Sequence, residues 1–286
     1  MNNDRLVLLG TKGGPSMRSI TRMPTSSLLV INGCNCIIDC GLGVARGAVA
    51  AGLELTEIDA VFITHLHSDH VLELGPLLHT AWTNGLMKTV RVYGPVGTRT
   101  HLDHFLESMR FDIDLRIGDE GRIDLRELIV VSEYGEGTLD YDGCRVSALR
   151  VHHPPVTECY GLRFDAEGWS ITFSSDTSKF PPLVDFARDS DILVHEAMLA
   201  KGVDWVVSRA KNTSRLRQHL FASHTLPDEA AEIARDANVG HLVLHHLVPA
   251  DCPVVDESDW HAAVAGIWDG EFSVGEDLME IKRMQR

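Results

Sequence analysis

The 286-residue sequence predicts an α/β fold of four layers, αββα, in which two β-sheets pack face to face and helices cover both outer sides. Three observations predict it. Short apolar runs rich in Val and Ile alternate with amphipathic segments of helix length. The order is strands, a few helices, more strands, then helices again. Around 160–174 two runs are joined by a hairpin-length connection, which implies antiparallel pairing. No repeat, low-complexity tract or linker divides the chain, so a single domain over 1–286 is expected.

The elements follow in order. The run Leu6-Val7-Leu8-Leu9 sits in a strand expected at 6–10; it is short and lacks a small-residue cleavage site, unlike a secretion signal. Strands are expected at 27–32, 36–39 and 60–64, with a helix at 44–51 between the last two. A helix at 71–84, a strand at 90–94 and a helix at 98–109 come next. Five strands then follow at 128–132, 145–151, 160–165, 170–174 and 192–196, with a helix at 181–187 before the last. The segment 201–220 mixes polar and apolar residues and reads equally as a helix or a mobile lid. A helix at 227–237 begins with Pro227, Asp228 and Glu229, residues suited to a first helical turn. A strand at 241–244, a helix at 256–268 and a strand at 272–275 complete the pattern.

With 41 acidic against 26 basic residues, the formal charge is −15. Such a surface repels a phosphate backbone at long range, although a local basic patch can still bind one. The balance favours a small-molecule substrate over a long RNA. No apolar run approaches the roughly 18 residues of a membrane span. Six scattered cysteines without C-x-x-C spacing suit a reducing cytoplasm. Cys34, Cys36 and Cys40 read as small apolar strand residues rather than ligands.

Chemistry concentrates in Thr64-His65-Leu66-His67-Ser68-Asp69-His70, after an apolar strand and before a helix. In extended chain His65 and His67 project to one side, so both imidazoles can approach one metal ion. Asp69 and His70 lie where the chain turns into the helix and can reach a second.

This run resembles the signature of the metallo-β-lactamase superfamily, and the resemblance extends over nearly the whole chain. Leu8-Leu9-Gly10-Thr11-Lys12-Gly13-Gly14-Pro15 is similar to the opening of the ribonuclease Z and arylsulfatase-like branch. Ile37-Ile38-Asp39-Cys40-Gly41 resembles the first motif, and implies that Asp39 orients a metal-binding histidine. Val151-His152-His153-Pro154-Pro155 resembles the third, and matching on the Pro-Pro pair implies His153 as ligand with His152 beside it. Phe173-Ser174-Ser175-Asp176-Thr177 resembles the fourth, implying that Asp176 bridges two metals; Ser175 stands where glycine is usual, a departure expected only to tighten the turn. In Leu244-His245-His246-Leu247 the match implies His246 as ligand rather than His245.

The resemblance thus implies one metal on His65, His67, His153 and Asp176, and another on Asp69, His70, Asp176 and His246. Nitrogen and oxygen donors suit zinc and admit manganese or iron. Members with redox iron commonly carry Glu at the position of His67. Val194-His195-Glu196-Ala197 and Ser223-His224-Thr225-Leu226 resemble two further segments of the branch. They imply that His224 reaches the substrate and Glu196 holds it; the structural alternative is that Glu196 ends a buried strand and His224 caps a helix. The implied chemistry is attack by an activated water, with Asp69 also able to take its proton.

The branch covers tRNA 3′ trailers, small phosphodiesters, sulfate esters, lactones and aromatic halides. The family's bacterial ribonucleases are expected to carry a long Gly/Pro-rich tRNA-gripping arm between the third and fourth motifs, where this chain has the tight hairpin Phe164-Asp165-Ala166-Glu167-Gly168-Trp169-Ser170. A small ester therefore leads, with tRNA processing, a lactonase or a dehalogenase as alternatives. A non-catalytic scaffold is disfavoured, because unused buried charges are costly. The basic residues Arg209, Lys211, Arg215 and Arg217 read as a solvated face or a phosphate grip. Trp82, Met87, Trp205 and Phe221 are candidates for an apolar pocket wall. His79, His101, His104, His219, His241 and His261 lack ligand spacing and read as packing or surface residues. A homodimer is frequent in the branch and is expected here.

Overall fold

A computed structural model describes residues 4–18, 22–141, 143–211 and 213–283. The strands β1 (Arg5–Gly10), β2 (Ser26–Ile31) and β3 (Cys34–Ile38) form an antiparallel meander. After α1 (Val44–Ala50), β4 (Ala60–Phe62) pairs with β3 in parallel. Helices α2 (Ser68–Val71) and α3 (Leu74–Thr83) lead to β5 (Val90–Gly94). Helices α4 (Thr98–Ser108) and α5 (Arg110–Glu120) lead to β6 (Ile129–Glu133), and both strands extend the parallel set. In the second half β7 (Gly137–Leu139), β8 (Arg145–Arg150), β9 (Tyr160–Ala166) and β10 (Trp169–Phe173) are antiparallel neighbours. Helix α6 (Pro182–Phe186) then crosses to β11 (Ile192–Met198), and α7 (Ala200–Arg209), α8 (Leu216–Ser223) and α9 (Pro227–Asp236) precede β12 (His241–Val248). Helix α10 (Glu257–Val264) leads to β13 (Glu271–Val274), and β14 (Glu280–Lys282) returns to pair with β1. The two seven-stranded sheets run β14-β1-β2-β3-β4-β5-β6 and β13-β12-β11-β10-β9-β8-β7.

The layers follow from period-two alternation. Along β1, Val7 and Leu9 join a cluster with Leu74, Leu77 and Leu78 of α3, whereas Leu6 and Leu8 face the other way. There they meet Phe62, Phe164 and Ile171 between the sheets. A third cluster sets Leu193, Leu242 and Leu244 against Ala230 and Ile233 of α9 and Trp260 of α10. Both sheets are thus apolar on both faces, as a four-layer sandwich requires.

Several regions depart from the sequence expectation or decide what it left open. The helix expected at 71–84 is two helices, because the loop after β3 docks on the break: Cys40 N donates to His70 O at 2.6 Å and Glu73 N to Cys40 O at 2.9 Å. Helix α5 carries no clear apolar stripe because it buries little, with Ile113 its one fully buried side chain and Phe111 82% exposed. The segment 201–220 resolves into α7 and most of α8. Strands β7 and β14 span three residues each, too few for a periodic signal.

Phe62 stacks on Tyr93 with centroids 4.8 Å apart and meets Phe164 edge-on at 5.0 Å. Phe62→Ala should cost about 3–5 kcal/mol through the cavity it opens. Urea unfolding measures this; a loss below about 1 kcal/mol would show that the sheets are not locked there.

Candidate metal centre

The ends of β3, β4, β8, β10, β11 and β12 meet at one edge of the sandwich and bring the histidines and carboxylates together. Three non-glycine residues there have left-handed backbones: Asp39 (φ 61°), Ser175 (φ 58°) and His246 (φ 45°). Such conformations cost about 1–2 kcal/mol each and persist where packing imposes them. Ser175 therefore does more than tighten a turn; it carries strain a glycine would not. His246 is the extra residue of a β-bulge, since Glu196 pairs with His245 and Ala197 with Leu247. The bulge aims His246 at the carboxylates. His245 is buried beside Glu196 in the ladder and makes no hydrogen bond or ion pair to them. Likewise His153 is buried, while His152 is exposed and meets Ser178 Oγ at 2.9 Å.

The hydrogen bonds fix which imidazole nitrogens face inward. Thr64 Oγ1 donates to Asp39 Oδ2 at 2.9 Å, so the contact at 3.2 Å between Thr64 Oγ1 and His65 Nδ1 has the ring donating. His70 Nδ1 donates to Asp39 Oδ2 at 2.7 Å, and His153 Nδ1 to the Ser223 carbonyl at 2.9 Å. In the neutral rings the Nε2 lone pairs of all three point into the centre. Burial lowers the pKa of His70, but the Asp176, Asp39 and Asp69 carboxylates outweigh it and raise it, so a bare Nε2 on His70 is the state a bound cation would impose. His65 Nε2 lies 3.0 Å and His153 Nε2 3.2 Å from His67 Nδ1. Burial lowers the pKa of His65 and His67 and brings His153 down to about 4, which favours neutral rings. Three nitrogens thus converge with at most one proton among them.

Asp176 lies between two groups. Its Oδ2 is 3.7 Å from both His65 Nε2 and His153 Nε2 and 3.2 Å from His246 Nε2, while Oδ1 is 3.4 Å from His70 Nε2. Asp69 Oδ2 accepts from Gly14 N at 2.7 Å and lies 3.2 Å from His246 Nε2. Gly13 permits this approach, since a Cβ there would fall 2.8 Å from the His246 ring. His70 Nε2 and Asp176 Oδ1 are buried without hydrogen-bond partners. Orphaned acceptors of this kind are costly unless something else binds them. A donor set of imidazoles and carboxylates with inward lone pairs fits divalent cations. His65, His67, His153 and Asp176 form one candidate cation group, and Asp69, His70 and His246 another.

His224 and Asp176 with His246 form a third close group. However, His224 Nδ1 is held by both Glu196 oxygens, at 3.0 and 3.2 Å. Glu196 Oε1 also accepts from Thr177 N at 2.8 Å. Burial would lower His224, but the Glu196 carboxylate outweighs it and raises the imidazole to about 9. The His224 backbone does cap α8, its N–H donating to the Leu220 carbonyl at 3.2 Å, but the side chain is turned elsewhere. With Nδ1 on Glu196, Nε2 is left for the cleft, which His224 lines with His67, His153 and Asp176.

The cleft has a volume of about 330 Å³. Trp205, Val206, Leu216, Leu220 and Pro249 form its apolar side, and Lys12, Arg18 and Arg209 its basic edge. Arg209 packs over Trp205 at 5.1 Å. Of the other expected wall residues, Trp82 is core, Met87 is 76% exposed and Phe221 lies outward under Arg217. His219, which sequence spacing assigned to surface or packing, lines the cleft. Its ring lies 6.4 Å from His153 and 6.2 Å from His224. The one available signal was its position one helical turn before Ser223-His224.

Residues 35–247 match the family model of the Beta-lactamase superfamily domain. Proteins named Ribonuclease Z from Mycobacterium marinum and Mycolicibacterium gilvum are 32% and 31% identical; the alignments cover 97% of this chain and 98% and 95% of theirs. The metallo-β-lactamase fold protein YhfI from Bacillus subtilis superposes with a TM-score of 0.71 at 20% identity, over 98% of this chain and all of that one. The short form of human tRNase Z gives 0.69 at 22%, over 97% of this chain and 98% of that one. These last two share the fold.

Asp39 accepts from Thr64 N, Thr64 Oγ1 and His70 Nδ1. Asp39→Asn cannot accept all three, and should weaken divalent-metal affinity by about 10–100-fold. Competition with a chelating dye measures it; unchanged affinity would remove Asp39 from the centre.

Proposed function

The chain belongs to the β-lactamase superfamily, and from that premise we propose that it is a dinuclear metal-dependent phosphodiesterase of the ribonuclease Z type. The observation that carries this reading is Asp176 set between two imidazole groups, with His224, held by the buried Glu196 behind it, lining the same cleft. His65, His67, His153 and Asp176 would hold one ion, and Asp69, His70, Asp176 and His246 the other. Zinc is the expected metal, with manganese or iron compatible with the same donors. Such a pair supplies, when bound, a water acidic enough to attack at neutral pH and positive charge to offset that of the transition state.

The chain's own residues do the rest. Asp39, Thr64 and the Ser223 carbonyl hold three imidazoles in the ligating tautomer. Glu196 keeps a proton on His224 Nδ1 and favours the charged ring, so that His224 can donate from Nε2 to the departing oxygen. The apolar side of the cleft excludes water from one flank of the substrate. Lys12, Arg18 and Arg209 give an acidic protein a local cationic edge for phosphate.

RNA is the leading substrate, supported by relatives that carry the ribonuclease name over almost the entire chain. One observation favours a second reading, a small phosphodiester. Ala166 pairs with Trp169, so β9 and β10 are joined by two residues where the resemblance implies a tRNA-gripping arm.

The purified protein should bind about two divalent ions per chain. It should cleave a precursor tRNA 3′ trailer with higher kcat/KM than bis(4-nitrophenyl) phosphate. Turnover of the small ester alone selects the second reading, and no metal uptake overturns both. Glu196→Gln should lower kcat by about a hundredfold or more while metal content stays at two. An unchanged kcat would return Glu196 to a purely structural role.

A further inference from the structure

We infer that His219 is a substrate-positioning residue whose Nε2 accepts a hydrogen bond from a sugar hydroxyl of the bound ester. The inference rests on the phosphodiester reading above and adds a basis for recognising ribose.

The geometry starts at Ser223. Its hydroxyl donates to the Pro154 carbonyl at 2.6 Å, so its one proton is used. His219 Nδ1 lies 3.2 Å from the same oxygen. Ser223 Oγ can therefore only accept, and His219 must carry its proton on Nδ1. In the neutral ring Nε2 is then a bare acceptor. His219 is half-buried and lines the cleft, so this acceptor is available to what enters it.

The same serine holds the metal-centre side. Its carbonyl accepts from His153 Nδ1 at 2.9 Å. One fully buried residue thus sets the tautomers of two histidines, one aimed at the centre and one beside it. The His219 ring centroid stands 6.4 Å from that of His153 and 6.2 Å from that of His224, about the width of one sugar from each. The neighbouring surface from Trp205, Leu216 and Leu220 is apolar and suits a base. A phosphate has no proton to give at neutral pH, so an acceptor here selects for a donor, and a ribose hydroxyl is the donor attached to a phosphodiester.

The test compares three substrates in the metal-loaded enzyme: uridine 5′-(4-nitrophenyl phosphate), its 2′,3′-dideoxy counterpart, and bis(4-nitrophenyl) phosphate. The wild type should prefer the ribose substrate over the dideoxy one by about tenfold in kcat/KM, the range of one neutral hydrogen bond. His219→Ala should collapse that ratio to near unity, and His219→Gln, which retains an acceptor, should recover part of it. Equal losses on all three substrates would indicate a structural role and overturn the inference, as would a wild type indifferent to the hydroxyls. No turnover of bis(4-nitrophenyl) phosphate or either nucleotide would overturn the phosphodiester reading and this inference with it. A second readout needs no turnover: nitrogen NMR of the metal-free protein should show His219 protonated at Nδ1, a tautomer lost in Ser223→Ala. An Nε2-protonated ring in the wild type would also overturn it.

Discussion

The structure depends on one constraint: imidazole lone pairs and carboxylates are gathered in a buried space where they satisfy one another only in part. Three nitrogens, from His65, His67 and His153, sit within 3.0–3.2 Å contacts with at most one proton among them. Two carboxylates, Asp69 and Asp176, add negative charge beside them. In a low-dielectric interior this arrangement is expensive without a compensating cation. The surrounding hydrogen bonds commit the cluster to that outcome. Asp39, Thr64 and Ser223 each engage the outer nitrogen of a ring, leaving the inner one bare.

Rigid layers make such an arrangement sustainable. Asp39, Ser175 and His246 hold left-handed backbones at strand ends. Each is anchored to a strand buried on both faces, so relaxing the loop would disturb a sheet–sheet or sheet–helix core. The bulge at His246 works in the same way. It gives up one regular ladder position to turn a side chain that would otherwise face a neighbouring layer.

Charge is organised at two scales. The chain as a whole is strongly acidic, but the cleft edge is built from Lys12, Arg18 and Arg209. Several other basic side chains are already engaged. Arg217 pairs with Asp204, and Arg126 with Asp114 and Asp124. At the cleft edge Lys12 and Arg18 donate to backbone carbonyls rather than to carboxylates, so their charge is not paired off there; it is local, and would act over a Debye length or so rather than across the surface. Helices α7 and α8 frame it with an apolar side, so the region that sequence left ambiguous is the one that shapes the cleft.

Local patterns were enough to read most of the architecture. Period-two alternation and run length located twelve of the strands, and the polar start of α9 marked its beginning, because these depend on a few adjacent residues. The spacing from His65 to His70 was legible for the same reason: one short turn carries four ligand-type side chains. Choosing between His245 and His246 geometrically required the bulge, and between His152 and His153 the direction of a loop. The location of His219 depended on Ser223, four residues on, meeting Pro154 from another loop. Trp82 and Met87 left the cleft for core and solvent because helix packing, rather than composition, decides which aromatic or thioether reaches a site. Sequence determined which chemical groups are present and which lie close along the chain. Tertiary structure alone decided which lone pairs meet, because that depends on contacts between segments up to about 180 residues apart, such as Asp69 with His246.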